Sequence, residues 1–309
     1  MKYIICLMGP TASGKTDLAI NLLNKFPFEI ISVDSALIYK DMNIGTAKPD
    51  NATLSKAPHR LINICDPSEA YSAANFCDDC FKEIEDIHKS NKIPLLVGGT
   101  MMYFKSLQQG IATMPEKNKA IRDQILKDAE NFGWPHLHNK LKDFDKAAHS
   151  RIHPNDTQRI QRALEVYLLS GKSISEFQID TTPKNSQYKF INIIVSPHDR
   201  AILHKRIEMR FDKMLSEGFI DEVKLLFERG DLDSSMPSMR SVGYRQVWDY
   251  LSGKCSFDEM REKGVIATRQ LAKRQLTWLR SFNDATWFNS VDEDLVKKVT
   301  DFLNELPTP

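Results

Sequence analysis

The residues best suited to chemistry are the eight at positions 9–16, which read Gly-Pro-Thr-Ala-Ser-Gly-Lys-Thr. They match the G-x-x-x-x-G-K-S/T pattern and lie between an apolar run at 3–8 and an amphipathic segment. Glycines at these places let successive backbone N–H groups and a helix N-terminus converge on a polyphosphate. The sequence therefore predicts a phosphate-binding loop, but not whether the phosphates belong to a nucleotide or to another diphosphate. The residues predicted to bind are Gly9, Pro10, Thr11, Ala12, Ser13, Gly14, Lys15 and Thr16, with Lys15 at the outer phosphate and Thr16 as a ligand of Mg²⁺.

A carboxylate follows the second apolar run, at 28–33, where the chain reads Asp34-Ser35. The carboxyl ends of parallel strands face the ligand crevice, so Asp34 is expected to point towards the phosphate loop. There it could accept a proton from an acceptor nucleophile or hold metal-bound water. The alternative is that Asp-Ser caps a helix or a turn.

The run at 93–97 ends in Gly98-Gly99-Thr100 without an acidic residue. In ATPases a Walker-B aspartate at such a place helps to hold the metal. Its absence weakens an ATPase interpretation and places the hydroxyl of Thr100 at the crevice.

The elements that position these residues follow from the alternation of apolar runs and helical patterns. Runs at 3–8, 29–33, 61–64, 93–97 and 190–195 are typical of buried parallel strands, and helical patterns lie at 16–24 and 73–88. This alternation predicts an α/β fold, a P-loop doubly wound parallel sheet. The stretch at 114–187 has no comparable strand and carries helical runs such as 156–169. We expect a core at 1–113, a helical insertion domain at 114–187, and a return strand with a helical C-terminal region at 188–309.

Composition narrows the class of protein. The chain has 309 residues, 41% of them hydrophobic and 27% charged, which is globular rather than disordered or collagen-like. No stretch approaches the roughly 20 apolar residues of a membrane-spanning helix. The five cysteines are few, and no charged leader precedes the first apolar run, so we expect a reduced cytoplasmic protein without a membrane partner.

Net charge is +1, and no third of the chain is strongly basic. Residues 264–283, however, contain the cations Arg269, Lys273, Arg274 and Arg280 and no acidic residue. Such a run is either a solvated helix face or a surface that holds phosphates. Arg206 and Arg210, four residues apart, could add to a diphosphate clamp or could pair with their neighbours Glu208 and Asp212.

Cys77 and Cys80 have the spacing of a zinc-binding pair, but no second pair exists. Phe76, Cys80, Ile84 and Ile87 match a buried helical stripe, which favours core packing over metal binding.

Six motifs occur in one order along the chain: 9–16, Asp34-Ser35 with 44–49, 94–100, 151–156, 162–165 and 243–246. In this set the sequence resembles the bacterial tRNA dimethylallyltransferase family, from residue 3 to about 282. The resemblance implies transfer of a dimethylallyl group from dimethylallyl diphosphate to N6 of adenosine 37, beside the anticodon, with Mg²⁺.

The resemblance also implies roles for single residues. The phosphate loop would bind the isoprenoid diphosphate, Asp34 would be the base that takes the N6 proton, and Thr100 would hydrogen-bond at the reacting centre. On independent chemical grounds, Lys15 lies where charge grows on the leaving diphosphate and is expected to aid catalysis, and Arg206 and Arg210 could add to this diphosphate clamp. The implied partners are the tRNA anticodon stem-loop and dimethylallyl diphosphate, and we expect a monomer. Residues that resemble tRNA-contacting positions are Asp34, Ser35, Ala36, Leu37, Thr100, Arg122, Gln158, Arg159, Ile160, Gln161, Arg162, Arg240, Gly243, Tyr244, Arg245, Arg269, Lys273, Arg274 and Arg280. Leu37 replaces the Gln of many members, so no base contact is assigned to its side chain.

Two other functions keep the phosphate loop. A P-loop small-molecule kinase would use Asp34 as the base for its acceptor, and a nucleotide-dependent RNA-binding protein would modify neither partner. The kinase requires ATP, whereas prenyl transfer releases diphosphate without ATP.

Overall fold

A computed structural model describes residues 2–112, 114–179 and 187–306. Helices and strands alternate through the first third of the chain. A helical stretch follows, and the next strand comes only after it. In chain order the elements are β1 (Lys2–Met8), α1 (Lys15–Leu23), β2 (Phe28–Val33), α2 (Asn51–Lys56), β3 (His59–Arg60), α3 (Ala73–Lys89), β4 (Ile93–Gly98), α4 (Met101–Gln109), α5 (Lys119–Phe132), α6 (Trp134–Phe144), α7 (Lys146–Arg151), α8 (Thr157–Ser170), α9 (Ile174–Ile179), β5 (Tyr188–Ser196), α10 (Arg200–Ser216), α11 (Phe219–Glu228), α12 (Tyr244–Leu251), α13 (Phe257–Leu279), β6 (Thr286–Asn289) and α14 (Leu295–Asn304).

The described strands form one parallel sheet in the order β3-β2-β4-β1-β5-β6. The predicted doubly wound parallel sheet is confirmed. Because every strand runs the same way, the ends of β1, β2 and β4 meet at one edge, where the phosphate loop, Asp34 and Thr100 follow. The sheet thus brings together three chain segments that are far apart in sequence.

Both faces of the sheet are covered, as near-continuous apolar strands require. On one face, alternate strand residues such as Ile5, Ile30 and Val97 pack with Leu18 of α1 and Val299 of α14. The residues between them, including Cys6 and Leu96, are also buried. Helix α3 lies against β2 and β4, and its buried stripe is Phe76, Cys77, Cys80, Ile84 and Ile87.

Two strand predictions are wrong. Residues 61–64 do not form a strand: the third strand is the short pair His59–Arg60, and Leu61 and Asn63 follow it with φ of 60° and 55°. Left-handed backbone at these two places breaks the extended conformation that a ladder needs. The sixth strand, Thr286–Asn289, is missed, because it is four residues long and only one of its flanks is paired.

The chain divides into two compact units, Met1–Ser106 with Ser186–Pro309, and Leu107–Asn185. The smaller unit is built from helices in its described part. Its core includes Ile125, Leu141, Ala163 and Val166. The predicted insertion spans 114–187, and its stretch at 180–186 lies outside the described residues.

In the larger unit, helices α10 to α13 share a second apolar core. It joins Phe211, Phe219, Tyr244 and Met260 with Met42 from the segment that follows β2. These helices therefore pack on the segment after Asp34 and fix its path. Among the described residues, no helix combines the length and the apolar character needed to cross a bilayer.

Candidate active site

The phosphate loop connects β1 to α1 and has a strained backbone. Ala12 and Gly14 have φ of 61° and 91°, a conformation that costs little for glycine but not for alanine. Ala12 is held by packing against the cluster of Leu203 and Ile207 of α10 and Ala272 of α13. The loop is thus supported from outside by the C-terminal helices.

Lys15 lies within this loop with its ammonium folded over it. Its Nζ donates to the Pro10 carbonyl at 2.7 Å and approaches Ser13 Oγ at 3.5 Å. Among the described residues it has no carboxylate within ion-pair distance. Burial, aided by the positive charge of Arg210, lowers the pKa of Lys15 to about 7, and Asp34 opposes this shift. An anionic ligand would supply the countercharge that the lysine lacks.

Asp34 follows β2 at the same edge of the sheet. Its Oδ1 accepts hydrogen bonds from the backbone N–H of Ala36 at 2.8 Å and of Leu37 at 3.4 Å. The alternative role, capping of a turn, is therefore real, but it uses a single oxygen. Oδ2 accepts no hydrogen bond from the described residues, so the cap fixes the carboxylate and leaves one oxygen available as a base.

Thr100 begins the segment after β4 and is tied to the neighbour of Asp34. Its N–H donates to the Val33 carbonyl at 3.2 Å, and its Oγ1 accepts from the Ser35 N–H at 3.0 Å. Gly98 permits this approach, because a Cβ there would lie 2.0 Å from the Val33 carbonyl oxygen. The prediction that the Thr100 hydroxyl lies at the crevice agrees with its position lining the cavity.

Arg206 and Arg210 reach the same cavity from α10. Arg206 Nη1 donates to Ser290 Oγ at 3.2 Å, and Arg210 Nη2 donates to the Thr46 carbonyl at 3.3 Å. Neither forms an ion pair with a described carboxylate. The alternative pairing with Glu208 and Asp212 is wrong, because these two acids bind Arg261 of α13 and, for Glu208, also Arg269. Both guanidiniums therefore face the cavity without a direct ion pair, although the charge of Asp34 acts on Arg210.

A clasp that sequence reasoning missed holds the segment at 43–45. The carboxylate of Glu222 in α11 accepts from the N–H groups of Asn43, Ile44 and Gly45 and from the hydroxyl of Tyr244. Gly45 is required here, since a Cβ would lie 2.0 Å from the Phe219 ring. The motif at 44–49 was visible in the sequence, but nothing in it indicates an acid almost 180 positions away.

The phosphate loop, Asp34, Thr100, Arg206 and Arg210 line one cavity of about 1140 Å³ in the larger unit. Its polar lining includes the phosphate loop, Asp34, Arg206 and Arg210, and its apolar lining includes Met101 and Met102. Ser32 is buried on its wall, and its hydroxyl has no partner among the described residues. A charged head group and a short apolar tail both find complementary surface.

The predicted tRNA-contacting residues of the larger unit separate by exposure. Ser35 is exposed, and Asp34, Ala36, Leu37 and Thr100 line the cavity. Residues with an exposed side chain are Arg240, Arg245, Lys273, Arg274 and Arg280. Arg269 is a correction: it forms a 2.8 Å ion pair with Glu208, so the run that is free of acids in sequence is not free of them in space. Tyr244 and Gly243 are buried, which excludes contact between the Tyr244 side chain and RNA in this conformation.

The smaller unit requires a similar correction. Ile160 is fully buried in its core, so its side chain cannot contact RNA in this conformation. Arg122 and Arg162 both bind the buried carboxylate of Glu165, which holds the pKa of that acid down at about 2 despite burial. Gln158 and Arg159 are exposed and Gln161 is half-buried. The two paired arginines stabilise α8 against α5, and only part of each guanidinium is open to a phosphate.

Cys77 and Cys80 lie on α3 in the core, and burial raises the pKa of both thiols. Among the described residues, no group of three or more potential ligands could hold a metal ion through Cys, His, Asp or Glu. Core packing is the role that the structure gives this pair.

The model of the IPP transferase family matches residues 37–282. A curated relative named tRNA dimethylallyltransferase, from Coxiella burnetii (strain RSA 493 / Nine Mile phase I), is 54% identical over 301 residues, which is 97% of either chain. The chain belongs to the IPP transferase family.

Solved structures of this family support the assignment. The full-length tRNA isopentenylpyrophosphate transferase of Bacillus halodurans is 34% identical, with a TM-score of 0.73 over 98% of this chain and 96% of that one. A eukaryotic dimethylallyltransferase captured acting on tRNA is 27% identical, with a TM-score of 0.84 over 99% of this chain and 81% of that one. The family is thus shared along the length of the chain, including both units.

Proposed function

We propose that this chain is a transferase that moves a dimethylallyl group from dimethylallyl diphosphate to N6 of adenosine 37 in tRNA. The proposal rests on one observation above all: the phosphate loop, two guanidiniums that form no ion pair with a described carboxylate and a carboxylate with a free oxygen line the same cavity. Relatives named as tRNA dimethylallyltransferases support the same chemistry. The cytoplasm, where tRNA is found, is the proposed compartment.

The positively charged groups of the cavity are proposed to bind the diphosphate of the donor. Lys15, Arg206 and Arg210 carry positive charge to the cavity and form no ion pair with a described carboxylate, while the charge of Asp34 acts on Lys15 and Arg210 from further away. The backbone N–H groups of the loop and the N-terminus of α1 add fixed partial charge. These groups bind the donor and stabilise the charge that grows on the bridging oxygen as diphosphate leaves.

The transfer step forms one bond and breaks another. The lone pair of adenine N6 attacks the allylic carbon C1, and the C1–O bond breaks with its electron pair leaving on diphosphate. The amine then carries an extra proton, which passes to Oδ2 of Asp34. The Ser35 N–H donates to Thr100 Oγ1 and the Ala36 N–H donates to Asp34 Oδ1, so the base is fixed relative to the segment after β4.

Mg²⁺ fits the donor set but finds few protein ligands. Thr16 places one hydroxyl beside Lys15 at the cavity, and the segment after β4 has no acid to add. Mg²⁺ prefers an octahedral oxygen shell that keeps several waters and uses substrate phosphates. Thr16 is the residue proposed to hold it, and the ion would supply charge neutralisation at the diphosphate.

The acceptor is proposed to be the anticodon stem-loop. Its target base lies in a single-stranded loop, where extrusion costs only a few kcal/mol. Lys273, Arg274 and Arg280 on the larger unit, and Arg159 on the smaller one, offer exposed cations for RNA phosphates. These contacts position the substrate, and the cavity does the chemistry.

One incubation tests the proposal against its rivals. The full chain is mixed with unmodified tRNA and either dimethylallyl diphosphate or ATP, and the nucleosides are analysed by mass spectrometry. We expect N6-isopentenyladenosine and an equal amount of diphosphate with the prenyl donor only. Lys15→Ala, the control, should abolish most turnover. Phosphate transfer from ATP would support a kinase, and binding without modification would support an RNA-binding protein.

A further inference from the structure

One buried amide on α13 connects two segments of the active site. Gln275 is only 9% exposed although it lies on the helix that carries the exposed cations Lys273 and Arg274. Its Oε1 accepts from the Thr11 N–H at 2.8 Å, and its Nε2 donates to the Gly99 carbonyl at 2.8 Å. One side chain thus binds the phosphate loop and the segment before Thr100 at the same time.

The two bonds fix the orientation of the amide. The Thr11 N–H can only donate and the Gly99 carbonyl can only accept, so the oxygen and the nitrogen of Gln275 cannot exchange places. A buried backbone donor or acceptor without a partner destabilises the folded state, so both hydrogen bonds of Gln275 contribute to stability. Gly99 is fitted to this contact, because a Cβ there would lie 2.6 Å from Gln275 Nε2.

The surroundings show that α13 supports the loop rather than merely touching it. Ala272 and Leu276, on the same face as Gln275, belong to the apolar cluster on which Ala12 packs. Thr11 precedes the left-handed residue Ala12, a backbone that needs support to persist. The other partner of Gln275, Gly99, precedes Thr100, whose Oγ1 accepts a hydrogen bond from the N–H of Ser35, the residue next to Asp34.

We infer that Gln275 is a positioning residue for prenyl transfer. It fixes the phosphate loop relative to Thr100 and Asp34, and it connects the loop and the segment at Gly99 to α13, the helix that carries the exposed cations. This inference rests on the proposed function. Gln275 acts through backbone groups and is not assigned a contact with the reacting atoms. Small displacements of reacting groups are costly in rate, so its loss should lower kcat more than it lowers tRNA affinity.

Gln275→Leu removes both bonds at similar volume. We expect kcat to fall about tenfold or more, and binding of inorganic diphosphate to weaken, while tRNA binding without donor stays within about twofold. The matched control is Gln270→Leu, a change of the same type at an exposed position of the same helix, which should alter none of these values.

Gln275→Glu provides a readout that a folding defect does not produce. A protonated carboxyl can accept from Thr11 and donate to Gly99, whereas an ionised one repels the Gly99 carbonyl oxygen; this repulsion and burial raise its pKa. The ratio of the variant's kcat to that of the wild type should therefore rise about tenfold as pH is lowered from about 8 to about 6. The ratio cancels the titration of groups that do not interact with position 275. Lys15, in the loop that Gln275 contacts, does interact with it, so inorganic diphosphate is kept saturating in a parallel binding series that follows Lys15 separately. Gln270→Glu should give a flat ratio.

Two results would overturn the inference: wild-type kcat and diphosphate affinity in Gln275→Leu, or a ratio for Gln275→Glu that does not change with pH. If Gln275→Leu does not fold, the pH ratio decides. Binding of inorganic diphosphate does not require prenyl transfer, so this measurement tests the support of the phosphate loop even if the wild type transfers nothing. Absence of transfer by the wild type would refute the proposed function and leave the binding result to decide the role of Gln275.

Discussion

Replacing Glu222 by glutamine tests how firmly the segment at 43–45 is held. The carboxylate accepts four hydrogen bonds, three from backbone N–H groups and one from Tyr244. An amide keeps one acceptor oxygen, so two donors lose their partner. At about 1.5 kcal/mol for each bond to a charged group, the free energy of unfolding should fall by about 3 kcal/mol. For a unit of this size the melting temperature should drop by about 6–12 °C.

The same variant should weaken the diphosphate site. The segment at 43–45 leads to Thr46, whose carbonyl accepts the hydrogen bond from Arg210. Loss of about 1 kcal/mol of positioning corresponds to an approximately fivefold weaker affinity for inorganic diphosphate. Calorimetry measures both quantities, by scanning for stability and by titration for affinity.

Two controls separate stability from binding. Tyr244→Phe removes one of the four donors and should cost about 1 kcal/mol. Leu303→Ala, in the sheet core and not on the cavity wall, should cost about 3 kcal/mol and leave diphosphate affinity unchanged. If Glu222→Gln loses stability but binds diphosphate like the wild type, the link through Thr46 and Arg210 is refuted. If it loses neither, the clasp itself contributes nothing.

Three further expectations concern the base, the lysine and the RNA surface. Asp34→Asn keeps the turn cap but cannot take a full proton, so turnover at saturating substrates should fall about 100-fold with tRNA affinity little changed; near-normal turnover would remove Asp34 from this role. The pKa of Lys15 is about 7 in the folded protein against an ordinary 10.5, so the unfolded chain binds the proton more tightly. Lys15→Met should therefore raise the melting temperature of the ligand-free protein near pH 7, and this gain should shrink as pH rises towards 10.5. Thermal melts across this pH range test it, and a gain that stays constant would contradict the lowered pKa of Lys15. Changing both Lys273 and Arg274 to Ala should flatten the slope of log tRNA affinity against log salt concentration by about one to two units. Turnover at saturating tRNA should stay near normal. An unchanged slope would mean that these two side chains of α13 are solvated and do not bind tRNA phosphates.

The sequence by itself was sufficient for the parts of this protein that depend on short-range chemistry. A phosphate loop is defined by glycines, a lysine and a hydroxyl within eight positions, and the apolar runs around it predict most of the parallel sheet. Asp34 and Thr100 follow predicted strands, and strand ends in a parallel sheet share an edge. Such inferences need only local backbone preferences and one rule of topology.

The tertiary structure decided which charges are free and which are paired. Arg269 forms an ion pair with Glu208, whereas Arg206 and Arg210, with acids beside them in sequence, face the cavity without an ion pair to a described carboxylate. Gln275 and Gly99 are 176 positions apart, and no local pattern predicts their bond. Electrostatic and hydrogen-bond partners are determined by distance in space, and the packing of α10 to α13 on one another, on the phosphate loop and on the segment after Asp34 sets that distance.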